Sequence, residues 1–75
     1  MQWNLIRIRK ENGLTQKKMA EILGIGIDTY GKKERGILQF TQDEMFSLSM
    51  YFNLPLEEIF SPRDLGKTKK KIRQR

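Results

Sequence analysis

The stretch LTQKKMAEILGIGIDTYGKKERG, residues 14 to 36, decides the fold, because it holds two short helical patterns divided by a glycine. Thr15 is a good N-cap, and Met19, Ala20 and Leu23 share one face of the helix that follows before Gly24 stops it. The next pattern runs from Ile27 to Arg35, with Tyr30 as its main inward anchor and Gly36 where a left-handed cap would sit. Ala20 is small enough to let these two helices approach, and Gly24 permits the sharp turn between them. The second helix is poor in core residues, contains the helix-weakening Gly31, and carries Lys32, Lys33 and Arg35 within four positions. A helix with one strong anchor turns most of its surface outward, so the sequence raises the question of what lies against it.

Working outward, Trp3 to Glu11 reads as a first helix with Leu5 and Ile8 facing inward and Asn12-Gly13 as its stop. A fourth helix starts near Thr41, whose hydroxyl can cap it while Glu44 completes a capping box, and continues to Phe52. Pro55 to Phe60 forms a fifth, with proline at the first helical position and Glu57 and Glu58 at the positive end of the helix dipole. No strand-like alternation and no internal repeat compete with this reading. An all-α chain is expected.

Seventy-five residues with 37% hydrophobic content support one small core. The chain has no cysteine and no histidine. Disulfides, thiolate-bound metal and a Cys or His nucleophile-base pair are thereby excluded, so the sequence points away from an enzyme and implies no cofactor and no metal. No apolar run approaches the roughly 20 residues that cross a bilayer, and the expectation is a cytoplasmic protein without a membrane partner. Net charge is +6, and residues 1–62 carry equal numbers of acidic and basic side chains. All the excess lies in RDLGKTKKKIRQR, residues 63–75, which holds Arg63, Lys67, Lys69, Lys70, Lys71, Arg73 and Arg75 against Asp64 alone. We therefore divide the chain into an ordered domain, 1–62, and a flexible basic tail, 63–75. The tail's cations suit either a non-specific phosphate-binding arm or a solvated face.

Four blocks in order carry a family resemblance: the R-x-x-x-G-L-T-Q pattern from Arg9 to Gln16, Ala20 with Gly24, TYGKKERG from Thr29 to Gly36, and NLPLEEIF from Asn53 to Phe60. Over residues 4–60 the sequence resembles the Cro/CI-type helix-turn-helix family, also called lambda-repressor-like or xenobiotic-response-element. The resemblance implies a compact five-helix domain that binds double-stranded DNA, with the third helix as the recognition helix. It implies phosphate contacts from Gln16 and Lys17, and base contacts from Ile27, Asp28, Thr29 and Lys32. Ile27 suits a thymine methyl, Asp28 the cytosine amino group, and Lys32 the acceptors of guanine. Asp28 also suits the positive end of its helix, and Lys32 and Lys33 also suit solvent or phosphate. Arg9 and Glu34 resemble the family's inward-facing ion pair, a structural role. Two positions depart from the family pattern. Gly31 stands where a hydroxyl residue is usual, so it is either drift or a site of close backbone approach, and Lys33 stands where an apolar residue is common.

The fourth helix carries two apolar stripes. Met45, Leu48 and Phe52 fit the inward face; Phe46 and Met50, four apart, fall on another, and Ile37 with Leu38 lie just before the helix. This second stripe is either more core or a surface that a partner covers; the first stripe already satisfies the inward face, which favours the partner, and the expected partner is a second copy of the chain. The reading is a transcriptional regulator, a repressor binding a near-palindromic operator as a homodimer. The alternative is an antitoxin-type module whose apolar patch, Ile37, Leu38, Phe46 and Met50, covers a protein partner, with DNA binding secondary.

Overall fold

The computed structural model describes residues 1–60. In chain order its helices are α1 (Trp3–Glu11), α2 (Gln16–Leu23), α3 (Ile27–Glu34), α4 (Gln42–Phe52) and α5 (Leu56–Ile59). The helix ends shift slightly from the sequence reading. Arg35 is the C-cap of α3 rather than its last turn. Pro55 is the N-cap of α5, its ψ of 154° leaving the first helical position to Leu56. The basic tail, with Lys67, Lys69, Lys70, Lys71, Arg73 and Arg75, lies outside the described residues.

Local chemistry sets the boundaries. The Thr15 hydroxyl accepts from the Lys18 amide at 3.1 Å to open α2. Thr41 and Glu44 form the reciprocal capping box of α4: the Thr41 hydroxyl accepts from the Glu44 amide at 3.1 Å, and the Glu44 carboxylate accepts from the Thr41 amide at 2.9 Å. Between α2 and α3, Gly24 has φ +71°, a left-handed conformation that costs a side-chain-bearing residue energy. That turn lets the Ile25 amide reach back to the Ala20 carbonyl at 3.0 Å.

Leu5, Ile8, Met19, Ala20, Tyr30, Phe40, Leu48, Ile59 and Phe60 make the core. Tyr30, Phe40 and Phe60 meet edge to face, with centroids 6.0 and 5.3 Å apart, so a residue of the α3–α4 connection joins the third helix to the end of the fifth. Burial of these rings is the hydrophobic part of what holds α3 in place.

A carboxylate supplies the polar part. Glu34, only 2% exposed, accepts from Arg9 Nε at 2.8 Å and from the Tyr30 hydroxyl at 2.7 Å on one oxygen. Its other oxygen accepts from Arg9 Nη2 at 3.2 Å and from Gln16 Nε2 at 2.7 Å. Arg9 also donates to the Leu14 carbonyl at 3.0 Å, and the Gln2 amide donates to the Glu34 carbonyl at 2.9 Å. One side chain therefore ties α1, α2 and α3 together. Burial alone would raise the Glu34 carboxyl above its ordinary 4.5, but the hydrogen bonds from Arg9, Gln16 and Tyr30 and the Arg9 charge outweigh it and hold it lower. Tyr30 moves the other way: burial first, then its bond to the Glu34 carboxylate, push its hydroxyl above the ordinary range. The phenol stays a donor throughout the working pH range.

Because the folded Glu34 carboxyl sits below its unfolded value, the stabilisation is complete above about pH 4.5 and drains away as pH falls through the folded value. Glu34→Gln leaves the Arg9 guanidinium buried without its counter-charge, at a cost of roughly 3–5 kcal/mol, a large share of a small domain's stability. Urea unfolding at pH 7 and at pH 3 measures both: the gap between wild type and variant is large at pH 7 and narrows at pH 3. An equal gap at both values would mean that the Glu34 charge contributes nothing.

Candidate nucleic-acid interface

Helical spacing divides α3 cleanly. Tyr30, Lys33 and Glu34, at i, i+3 and i+4, face the core and are buried. Ile27, Asp28 and Lys32 are exposed, with Ile27 48% accessible, while Thr29 is half-buried. Gly24 and the small Ala20, 3% exposed, allow α2 to pack against α3 so that the start of α2 lies beside the outer face of α3. Gln16, Ile27, Asp28, Gly31, Lys32 and Arg35 together line a shallow open depression there. Five of these residues are polar, charged or glycine, and the surface offers amide, carboxylate, ammonium and guanidinium groups side by side.

The sequence-predicted residues do not all reach this surface. Lys17 is exposed beside it at the start of α2. Gln16 is half-buried and shared: one amide hydrogen is committed to Glu34, while its oxygen faces Gly31. Lys33 is a correction. It was expected to meet solvent or phosphate, yet it is 7% exposed and donates to Glu44 at 2.6 Å, with its ammonium 6.0 Å from the Phe40 ring centroid. Its register, three residues after Tyr30, turns it inward, and its aliphatic stem fills the place of an apolar side chain while the head finds a carboxylate. Burial would raise the Glu44 carboxyl, but hydrogen bonds from Lys33 and from the Thr41 amide, together with the Lys33 charge, hold it below its ordinary value.

Gly31, which the sequence leaves as either drift or a site of close backbone approach, is buried: a Cβ built on it would lie 3.2 Å from Arg35 Nη1 and 3.7 Å from Gln16 Oε1. The atoms over it are side chains of the chain itself. Arg35, to which the sequence reading gave no role, is thus part of the surface. The signal was there, since Arg35 falls four residues after Gly31 and seven after Asp28, on the same helical face.

The patch expected on α4 is exposed: Ile37, Leu38, Phe46 and Met50 are all accessible, Met50 at 80%. Met45 and Phe52 pack on the core around the fully buried Leu48. The second stripe is therefore surface. Among the described residues no helix is long and apolar enough to cross a membrane, and no cluster of acidic side chains is arranged to hold a metal ion.

Comparison with known proteins agrees with this geometry. A family model described as helix-turn-helix matches residues 5–59. A crystal structure of a transcriptional regulator from Listeria innocua has the same fold, with a TM-score of 0.72 and 24% sequence identity over 96% of this chain and 74% of that one. Among curated proteins none matches the sequence significantly.

Gly31→Ala tests how the depression is built. Alanine favours a helix interior by about 1 kcal/mol over glycine. The nearest atom that it meets is the free end of an arginine, which can swing aside, so the variant melts higher by up to roughly 4–8 °C. Thermal unfolding by circular dichroism reads this directly; a lower melting point would mean that Arg35 cannot move off the glycine.

Proposed function

The chain belongs to the helix-turn-helix family, in its Cro/CI-type branch, and we propose that it is a repressor that binds a near-palindromic DNA operator as a homodimer. By family it is a DNA-binding transcriptional regulator. The observation that carries the finer reading is the outward face of α3, anchored from beneath by Tyr30 and Glu34 and presenting Ile27, Asp28 and Lys32 to solvent. A major groove about 12 Å wide accepts such a helix. Ile27 then packs on a thymine methyl, Asp28 accepts from a cytosine amino group, and Lys32 donates to guanine. Lys17 and the free amide hydrogen of Gln16 meet phosphate at the groove edge, and Thr29 joins the base contacts. Occlusion of a promoter needs no further machinery, which is why repression is preferred to activation. The cations of residues 63–75 add a sequence-independent attraction for phosphate that weakens with salt.

Exposure of Ile37, Leu38, Phe46 and Met50 supports the dimer, since large apolar side chains left in solvent favour a covering partner. A two-fold arrangement sets two copies of α3 roughly 34–36 Å apart, one turn of DNA. An antitoxin-type module would use the same patch for an unlike protein.

Selection of bound duplexes from a random pool tests the reading of DNA. The full chain is expected to enrich two inverted half-sites one turn apart, and alanine at Ile27, Asp28 and Lys32 together to abolish that preference; an unchanged site would remove α3 from the groove. Sedimentation tests the patch separately. Phe46→Asp with Met50→Asp is expected to give a folded monomer that keeps half-site binding but loses most affinity for the full operator. A wild-type chain that stays monomeric at high concentration, alone and on operator, would contradict the homodimer and leave the patch to an unlike partner.

A further inference from the structure

Arg35 closes α3 as its C-cap with helical backbone, so its side chain leans back over the preceding turn. A C-terminal cation ordinarily complements the last carbonyls. Here the guanidinium instead reaches back along the helix, with Nη1 beside Gly31, a residue one turn of about 5.4 Å earlier. Among the described residues Arg35 makes no ion pair and no side-chain hydrogen bond, so neither a carboxylate nor the helix end holds it there. A Cβ at residue 31 would lie 3.2 Å from Nη1 and push the guanidinium off by a few tenths of an ångström. The seat lies in the depression shared with Ile27, Asp28 and Lys32. Seated on Gly31, its head lies beside the residues that meet base edges, with its planar fork of donors uncommitted.

From this juxtaposition we infer that Arg35, its guanidinium lying over Gly31 in the depression on α3, reads a guanine base edge, and that Gly31 is the positioning residue for it. The inference rests on the reading of α3 as the helix in the groove. It adds one G·C pair to the operator beyond those assigned to Ile27, Asp28 and Lys32. Bidentate donation to guanine O6 and N7 matches the geometry of a guanidinium, which an ammonium of equal charge cannot reproduce. Gly31 thereby gains a function that neither backbone approach nor drift supplies.

The test compares full-length wild type, Arg35→Lys, Arg35→Ala and Gly31→Ala by selection from random duplexes, followed by titration of the selected duplex and its single-pair substitutes at several salt concentrations. Melting curves establish that each variant is folded. Arg35→Lys keeps the charge and is expected to lose most of the discrimination at one G·C pair, roughly ten- to a hundredfold, with the other pairs unaffected. Gly31→Ala is expected to relax the same pair although Arg35 is intact, because the guanidinium loses its seat. If both variants select the wild-type site unchanged, the inference is overturned. If Arg35→Ala weakens all duplexes alike and lowers the salt slope by about 0.9, Arg35 is a phosphate contact and base reading is likewise overturned. A wild-type chain that enriches no site at all overturns the operator reading itself, a result distinct from either.

Discussion

Everything placed on the surface of α3 depends on one buried carboxylate. Glu34 accepts four side-chain hydrogen bonds from Arg9, Gln16 and Tyr30, so that the end of α3 is fixed to α1 and to the start of α2 by a saturated group. A charge taken out of water is expensive unless fully paired, and this one is paired on both oxygens. Directional bonds specify an angle where apolar burial specifies only contact. The aromatic chain of Tyr30, Phe40 and Phe60 supplies the attraction, and Glu34 supplies the register with which Ile27, Asp28 and Lys32 come to face outward.

The same helix shows how inward and outward roles are sorted by spacing rather than by residue type. Lys32 and Lys33 are adjacent and chemically alike, yet one is exposed and the other lies against Phe40 with its ammonium on Glu44. Glu44 in turn belongs to the capping box of α4, so the Lys33 bond couples the end of α3 to the beginning of α4. Two ion pairs, Arg9 with Glu34 and Lys33 with Glu44, thus tie the end of α3 to α1 and to α4. The outer face is left free of structural duties.

Much of this was legible in the residues. The caps at Thr15, Gly24 and Thr41 announce where helices begin and end through side-chain and left-handed chemistry that is local, and the structure places them as the sequence predicts. Tyr30 was legible as the lone apolar anchor of α3. Phe40 was not, because it lies in an irregular connection where no periodicity marks it as core. Lys33 was misjudged on charge, although its spacing from Tyr30 argued for burial. The seat of Arg35 was hidden for a different reason: it depends on an atom that Gly31 lacks, and a sequence pattern scores the cost of glycine to a helix without showing what fills the space.

The central claim is that Glu34 and Tyr30 hold α3 so that Lys17, Ile27, Asp28, Lys32 and Arg35 meet DNA while Lys33 does not. Backbone and side-chain chemical shifts of the full chain, followed as its selected duplex is added, test this most directly. The account predicts the largest changes at those five residues, with the Lys33 ammonium and the Arg9–Glu34 pair nearly silent. Changes centred on Phe46 and Met50 of α4 at protein concentrations where the chain is already dimeric, with α3 unmoved, would contradict it.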